Sequence, residues 1–136
     1  MADEGNLGSG EIILIVDDDE AYCEAIGEIL TSAGYRILMA DSVATALSIL
    51  DKTVPDLILS DTMMPVADGS VLLRAVRSDP RLCAIPYVTV SAKAMIPDRA
   101  EAIVTGASGF LAKPFSAAEL LAEVGRQMAR RDRRAA

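Results

Sequence analysis

The sequence predicts a doubly wound α/β domain, a five-stranded parallel sheet with helices on both faces. Short apolar runs give way to helical patterns five times along the 136 residues, the pattern of repeated strand–helix units. The runs are nearly continuous in apolar character rather than alternating, as strands covered on both faces require. Right-handed crossovers between successive parallel strands then distribute the helices to the two sides. At this length, with 51% hydrophobic residues, the chain most naturally makes one domain with its own core.

Strand one is Ile12–Val16, and the helix after it places Tyr22, Ile26, Ile29, Leu30 and Ala33 on one face, with Gly34 as its stop. Strand two is Tyr35–Ala40, followed by a stripe of Val43, Ala46, Leu47 and Leu50. Strand three, Leu57–Ser60, precedes a third stripe of Val71, Leu72, Ala75 and Val76. After strand four, Tyr87–Ser91, a fourth helix is expected from Pro97, which suits a first turn, to Thr105, with Gly106 ending it. Strand five, Gly109–Leu111, leads to a last helix that opens with a capping box of Ser116 and Glu119. Leu120, Leu121, Val124 and Met128 supply its buried face. Residues 1–10 read as an N-terminal tail, 11–128 as the domain, and 129–136 as a basic C-terminal tail whose arginines complement the helix dipole.

The chain contains no histidine. That excludes Ser-His and Cys-His nucleophilic pairs and histidine-containing zinc sites, and two cysteines are too few for an all-cysteine site. Cys23 and Cys83 stand far apart in no paired motif and read as reduced core thiols. The net charge of −7 disfavours nucleic acid as a partner. It is uneven: residues 1–125 hold 8 basic and 19 acidic side chains, residues 126–136 hold 5 and 1. No apolar run approaches the roughly 18 residues of a membrane span, and "MADEGNLGSG" lacks the features of a signal peptide. The expected compartment is the cytoplasm, with no membrane contact.

The apolar run "ILIV" drives straight into Asp17, Asp18, Asp19 and Glu20. Such crowding is costly, since two unit charges about 4 Å apart repel by roughly 4 kcal/mol at an effective dielectric of about 20. Asp19 and Glu20 are expected to cap the first helix. In open α/β sheets the binding crevice lies at the carboxyl ends of the strands. Those ends carry Asp17 and Asp18, then Asp61, then Ser91 with Lys93 close behind, then Lys113 followed by Pro114. Clustered carboxylates without nitrogen or sulfur ligands suit a hard, oxygen-seeking cation such as Mg²⁺, which offsets their repulsion. A carboxylate beside such an ion can act as nucleophile toward a phosphoryl group. Phosphoryl transfer needs positioning and charge neutralisation above all, and Ser91 and Lys113 are placed to hold phosphoryl oxygens.

Four motifs, "IVDDDE", "LILSDTMMPVADG", "VTVSAKA" and "GASGFLAKPF", occur in an order that resembles the response-regulator receiver domains of two-component signalling. The resemblance covers about residues 11–128. It implies a flavodoxin-like fold with strand order 2-1-3-4-5. It implies that Asp61 accepts phosphate from the histidine of a sensor histidine kinase or of a histidine phosphotransfer protein. Mg²⁺, for which Mn²⁺ can substitute, would be held by Asp18, Asp61 and the backbone carbonyl of Met63, with Asp17 contributing through water. Ser91 and Lys113 match the family's phosphate-sensing hydroxyl and lysine, and Phe110 its aromatic switch position. Phe110 lacks a tyrosine's hydroxyl, so its readout must come from packing. The family's Lys-Pro bond, here Lys113–Pro114, is often cis.

The expected role is a phosphorylation-controlled binding module in a phosphorelay, not an enzyme beyond its own phosphorylation and dephosphorylation. The downstream effector stays open, as does a phosphorylation-dependent homodimer. So does the choice between a single-domain regulator and a receiver from a longer protein. A second reading is a Mg²⁺-dependent aspartyl-phosphate hydrolase with Asp17 as attacker, because "VDDDEA" loosely fits its nucleophile motif. The late acidic pair of those enzymes is not visible after Ser91. A third is a receiver-like domain that takes no phosphate, against which stands the full set of Asp17, Asp18, Asp61, Ser91 and Lys113.

Overall fold

In the computed structural model, which describes residues 10–61, 69–92 and 107–135, five strands form one parallel sheet. They are β1 (Ile12–Val16), β2 (Arg36–Ala40), β3 (Leu57–Asp61), β4 (Tyr87–Ala92) and β5 (Gly109–Lys113), in the order β2-β1-β3-β4-β5. The described helices are α1 (Glu20–Ser32), α2 (Val43–Leu50), α3 (Gly69–Ser78) and α4 (Ala117–Ala135). The helix expected over Pro97 to Thr105, with Gly106, lies outside the described residues, as do Met63 and Lys93.

The near-continuous hydrophobicity of the strands follows from two cores sharing one sheet. Successive side chains of a strand point to opposite faces. Ile13 and Ile15 of β1, Leu57 and Leu59 of β3, and Val88 and Val90 of β4 pack with α1 and α4 through Ile26, Leu30, Leu120 and Val124. Leu14, Val16, Ile58 and Tyr87 pack on the other face with α2 and α3 through Val43, Ala46, Leu50, Leu72, Leu73 and Val76.

Helix starts follow the capping chemistry. Asp19 accepts a hydrogen bond from the Tyr22 N–H at 3.1 Å, and Ser42 from the Thr45 N–H at 3.1 Å. Ser116 and Glu119 exchange reciprocal bonds of 2.8 and 3.0 Å before α4. Gly34 adopts φ +101° just beyond α1, a left-handed conformation that glycine takes without strain.

Several expectations are corrected. Leu47 is 37% exposed and Val71 40% exposed, so neither belongs to the buried stripe, whereas Leu73 does. Leu47 lies about 70° around the helix from the centre of the Val43–Ala46–Leu50 stripe, and Val71 about 150° from that of α3. Strand two begins at Arg36, one residue later than expected, although Tyr35 is buried. The apolar runs stop at Ser60 and Leu111, but strands three and five reach their expected ends at Asp61 and Lys113, whose backbones pair in register with Val90 and Ala92. Cys23 is buried, but Cys83 is an exposed thiol rather than a core one. The basic C-terminal residues continue α4 through Ala135, in keeping with a helix end whose arginines complement the dipole. There Arg131 pairs with Asp56 at 2.7 Å, so it is tied back onto the sheet instead of standing in solvent. Among the described residues, no helix is long and apolar enough to cross a membrane.

Candidate functional site at the carboxyl edge of the sheet

Asp17 leaves β1 with its backbone still paired, its N–H donating to the Ala40 carbonyl at 3.0 Å. The side chain is 3% exposed, and its Oδ1 accepts the Asp19 N–H at 2.9 Å. Asp61 ends β3 at 7% exposure, while Asp18 is exposed. One carboxylate oxygen from each of Asp17, Asp18 and Asp61 lies within 4.8 Å of the others. The expected acid cluster is therefore assembled.

Lys113 brings a positive charge to these acids, its Nζ donating to Asp17 Oδ2 at 3.0 Å and to Asp61 Oδ2 at 3.5 Å. Burial acts to lower the pKa of this lysine. The hydrogen bond to Asp17 and the charges of Asp17 and Asp61 overcome that effect and raise it above the usual value. Among the described residues, one ammonium paired with two of three clustered carboxylates leaves an excess of negative charge. Three oxygen donors with no nitrogen or sulfur among them fit a hard divalent cation such as Mg²⁺. The Met63 carbonyl, assigned to the same ion by resemblance, falls outside the described residues.

Ser91 belongs to β4 next to Val90, which pairs in register with Asp61. Its side chain is fully buried and its Oγ has no hydrogen-bond partner among the described residues. Unpaired buried hydroxyls are uncommon and cost roughly 1–3 kcal/mol. Phe110 is half-buried on β5, opposite Thr89 in register. By the two-residue period of the strands, Ser91 and Phe110 share the α2–α3 face, whereas Asp61 and Lys113 have the parity of the α1–α4 face. The hydroxyl and the ammonium thus flank Asp61 from opposite sides of the sheet. The Lys113–Pro114 peptide bond is cis.

One contact of the site escaped the sequence. Tyr22, assigned to the buried stripe of α1, lays its ring 4.3 Å from Lys113 Nζ, and the ring meets Phe115 edge-on at 5.8 Å and 74°. Its place in the first turn after the acids was the available signal. Burial and the charges of Asp17, Asp61 and Asp19 raise its phenol pKa against the opposing pull of Lys113. Next to it, Cys23 donates to the Asp17 carbonyl at 3.4 Å. Burial and the charges of Asp17 and Asp19 push that thiol up to about 11, so it stays protonated and unreactive.

Comparison with known proteins agrees with this arrangement. The model of the response regulator receiver domain matches residues 13–125. The chain is 35% identical over 121 residues to the DNA-binding dual master transcriptional regulator RpaA of Synechocystis sp., covering 89% of this chain and 50% of that protein. It is 38% identical over 112 residues to the response regulator PleD of Caulobacter vibrioides, covering 82% of this chain and 25% of PleD. It therefore spans about half the length of the first relative and a quarter of the second. Among solved structures, a putative response regulator from Chloroflexus aurantiacus superposes with a TM-score of 0.85 at 33% identity, over 88% of this chain and 98% of that one. The chemotaxis response regulator CheY4 of Vibrio cholerae gives 0.81 at 30% identity, over 86% and 98%. Sheet order, acid cluster and sequence likeness lead to one conclusion: the chain belongs to the response-regulator receiver domains of two-component systems.

Proposed function

We propose that Asp61 is the phosphoacceptor, receiving a phosphoryl group from the phosphohistidine of a sensor histidine kinase or histidine phosphotransfer protein. The observation that carries this reading is the meeting of a buried carboxylate, Asp61, with two further acids and the Lys113 ammonium, with Ser91 on β4 next to Asp61's register partner Val90. A carboxylate oxygen of Asp61 bonds to phosphorus while the bond from phosphorus to the imidazole nitrogen breaks, and the imidazole leaves with the electron pair. Lys113 stands where the transferred charge must be neutralised, and Ser91 donates its hydroxyl hydrogen to a phosphoryl oxygen. Asp18 and Asp61, with the Met63 carbonyl and with Asp17 in support, would hold Mg²⁺. The ion, when bound, neutralises phosphoryl charge and lowers the repulsion among the acids.

The phosphoryl group adds negative charge beside Ser91 and draws its hydroxyl, which biases the packing of Phe110 on the same face. The output is a shifted population of conformers, read by a partner protein or effector domain. Several relatives are named as transcriptional regulators, which suits a receiver that controls an attached or separate effector. Incubation with acetyl phosphate and Mg²⁺ followed by mass spectrometry is expected to place one phosphoryl adduct on Asp61. Asp61→Asn is expected to abolish it. An adduct on Asp17 would favour the hydrolase reading, and none at all would leave a receiver fold without phosphoacceptor chemistry.

A further inference from the structure

We infer that Tyr22 is a positioning residue for Lys113, its ring face holding the ammonium against Asp17 and Asp61. The inference rests on the proposed phosphoacceptor role of Asp61. A lysine side chain has a long, rotamer-rich stem, and that of Lys113 is 22% exposed, so its ammonium has a path toward solvent. The two carboxylates hold it at 3.0 and 3.5 Å, and the Tyr22 ring stands 4.3 Å away as a third partner. The face of an aromatic ring carries negative potential, so it attracts the cation without competing for its proton.

The ring is itself placed with care. The Asp19 cap accepts the Tyr22 N–H at 3.1 Å, fixing the first turn of α1 beside the acids. Phe115, two residues beyond Lys113, meets the ring edge-on at 5.8 Å. Tyr22 thus touches both the lysine and the segment that follows it, coupling the start of α1 to the end of β5. A positioned ammonium needs no reorganisation when phosphoryl charge arrives, and this is where a positioning residue affects rate.

The test is the rate of phosphate uptake from acetyl phosphate at saturating Mg²⁺, with the urea midpoint measured alongside. Tyr22→Leu keeps apolar bulk and removes the ring, and is expected to slow uptake roughly two- to tenfold. Tyr22→Phe keeps the ring face and is expected to restore the wild-type rate. Adding Tyr22→Leu to Lys113→Ala should cause no further loss, because the effect runs through the ammonium. Tyr22→Met, with an adaptable side chain, replaces Tyr22→Leu if the latter unfolds. Should Lys113→Ala take up nothing, the contrast between the leucine and phenylalanine variants decides. A wild-type rate in the folded leucine variant, a phenylalanine variant as slow as it, or an undiminished loss in the Lys113→Ala background overturns the inference. Wild-type protein that takes no phosphate on Asp61 overturns the proposed function and this inference with it.

Discussion

At the scale of single residues, the least conspicuous position has one of the clearest consequences. A Cβ built on Gly109 would overlap Glu123 Oε2 and Gln127 Nε2. Neither group retreats easily. Gln127 is 1% exposed and donates to the Ser108 carbonyl at 3.1 Å and to Glu123 at 2.8 Å, while Arg126 grips Glu123 at 2.6 Å. Gly109→Ala is therefore expected to destabilise the fold by about 1–3 kcal/mol, seen as a lower urea midpoint at unchanged slope. The cluster of Asp17, Asp18 and Asp61 with Lys113 was legible because acids and a lysine at strand ends have few structural reasons to coincide. Tyr22 was not, since an aromatic that packs in a helix stripe and one that faces a cation look the same in sequence. Gln127 was missed because a glutamine on a helix is ordinarily solvated, whereas here the Ser108 carbonyl and Glu123 satisfy its buried amide.

At the scale of elements, strand starts could be read to within a residue, because the apolar runs that feed two cores mark where each strand lies. Two strand ends could be read as well, since Asp61 and Lys113 stand where the apolar runs stop and their backbones still pair in the ladder. Helix faces were legible only in outline. Val43, Ala46 and Leu50 meet the sheet, and the adjacent Leu47 misses it because short α2 presents a narrow contact. Leu50→Ala is expected to cost about 2–5 kcal/mol and Leu47→Ala well under half as much, by denaturant unfolding of the two variants. Equal losses would mean that Leu47 is buried in solution.

At the scale of the whole molecule, the acid cluster links folding to the ion it is suited to hold. The three carboxylates approach within 4.8 Å of one another only in the folded chain, so a cation that binds them favours that state. Mg²⁺ at about 100 times its dissociation constant adds roughly 2.7 kcal/mol, a rise in Tm on the order of 10 °C for a domain of this size. Thermal unfolding with and without Mg²⁺ is expected to show this rise in the wild-type protein and little of it in Asp18→Ala. An equal rise in the variant would reduce the cluster to helix caps. The order of the sheet itself came from family likeness, because local patterning specifies strands and says little about which become neighbours.

That order also determines which part of the site can give way. β1 and β3 are each bonded on both sides, whereas β5 has only β4 beside it. The acids are thus mounted on the rigid middle of the sheet and the lysine on a compliant margin, an anvil faced by a sprung jaw. A shift of β3 strains two ladders and a shift of β5 strains one, so β5 is the more compliant of the two. That margin carries Phe110, and α4 follows it through the Gln127 bond to Ser108. In hydrogen exchange the Leu111 amide is expected to exchange faster than the Leu59 amide, and phosphorylation to widen that gap.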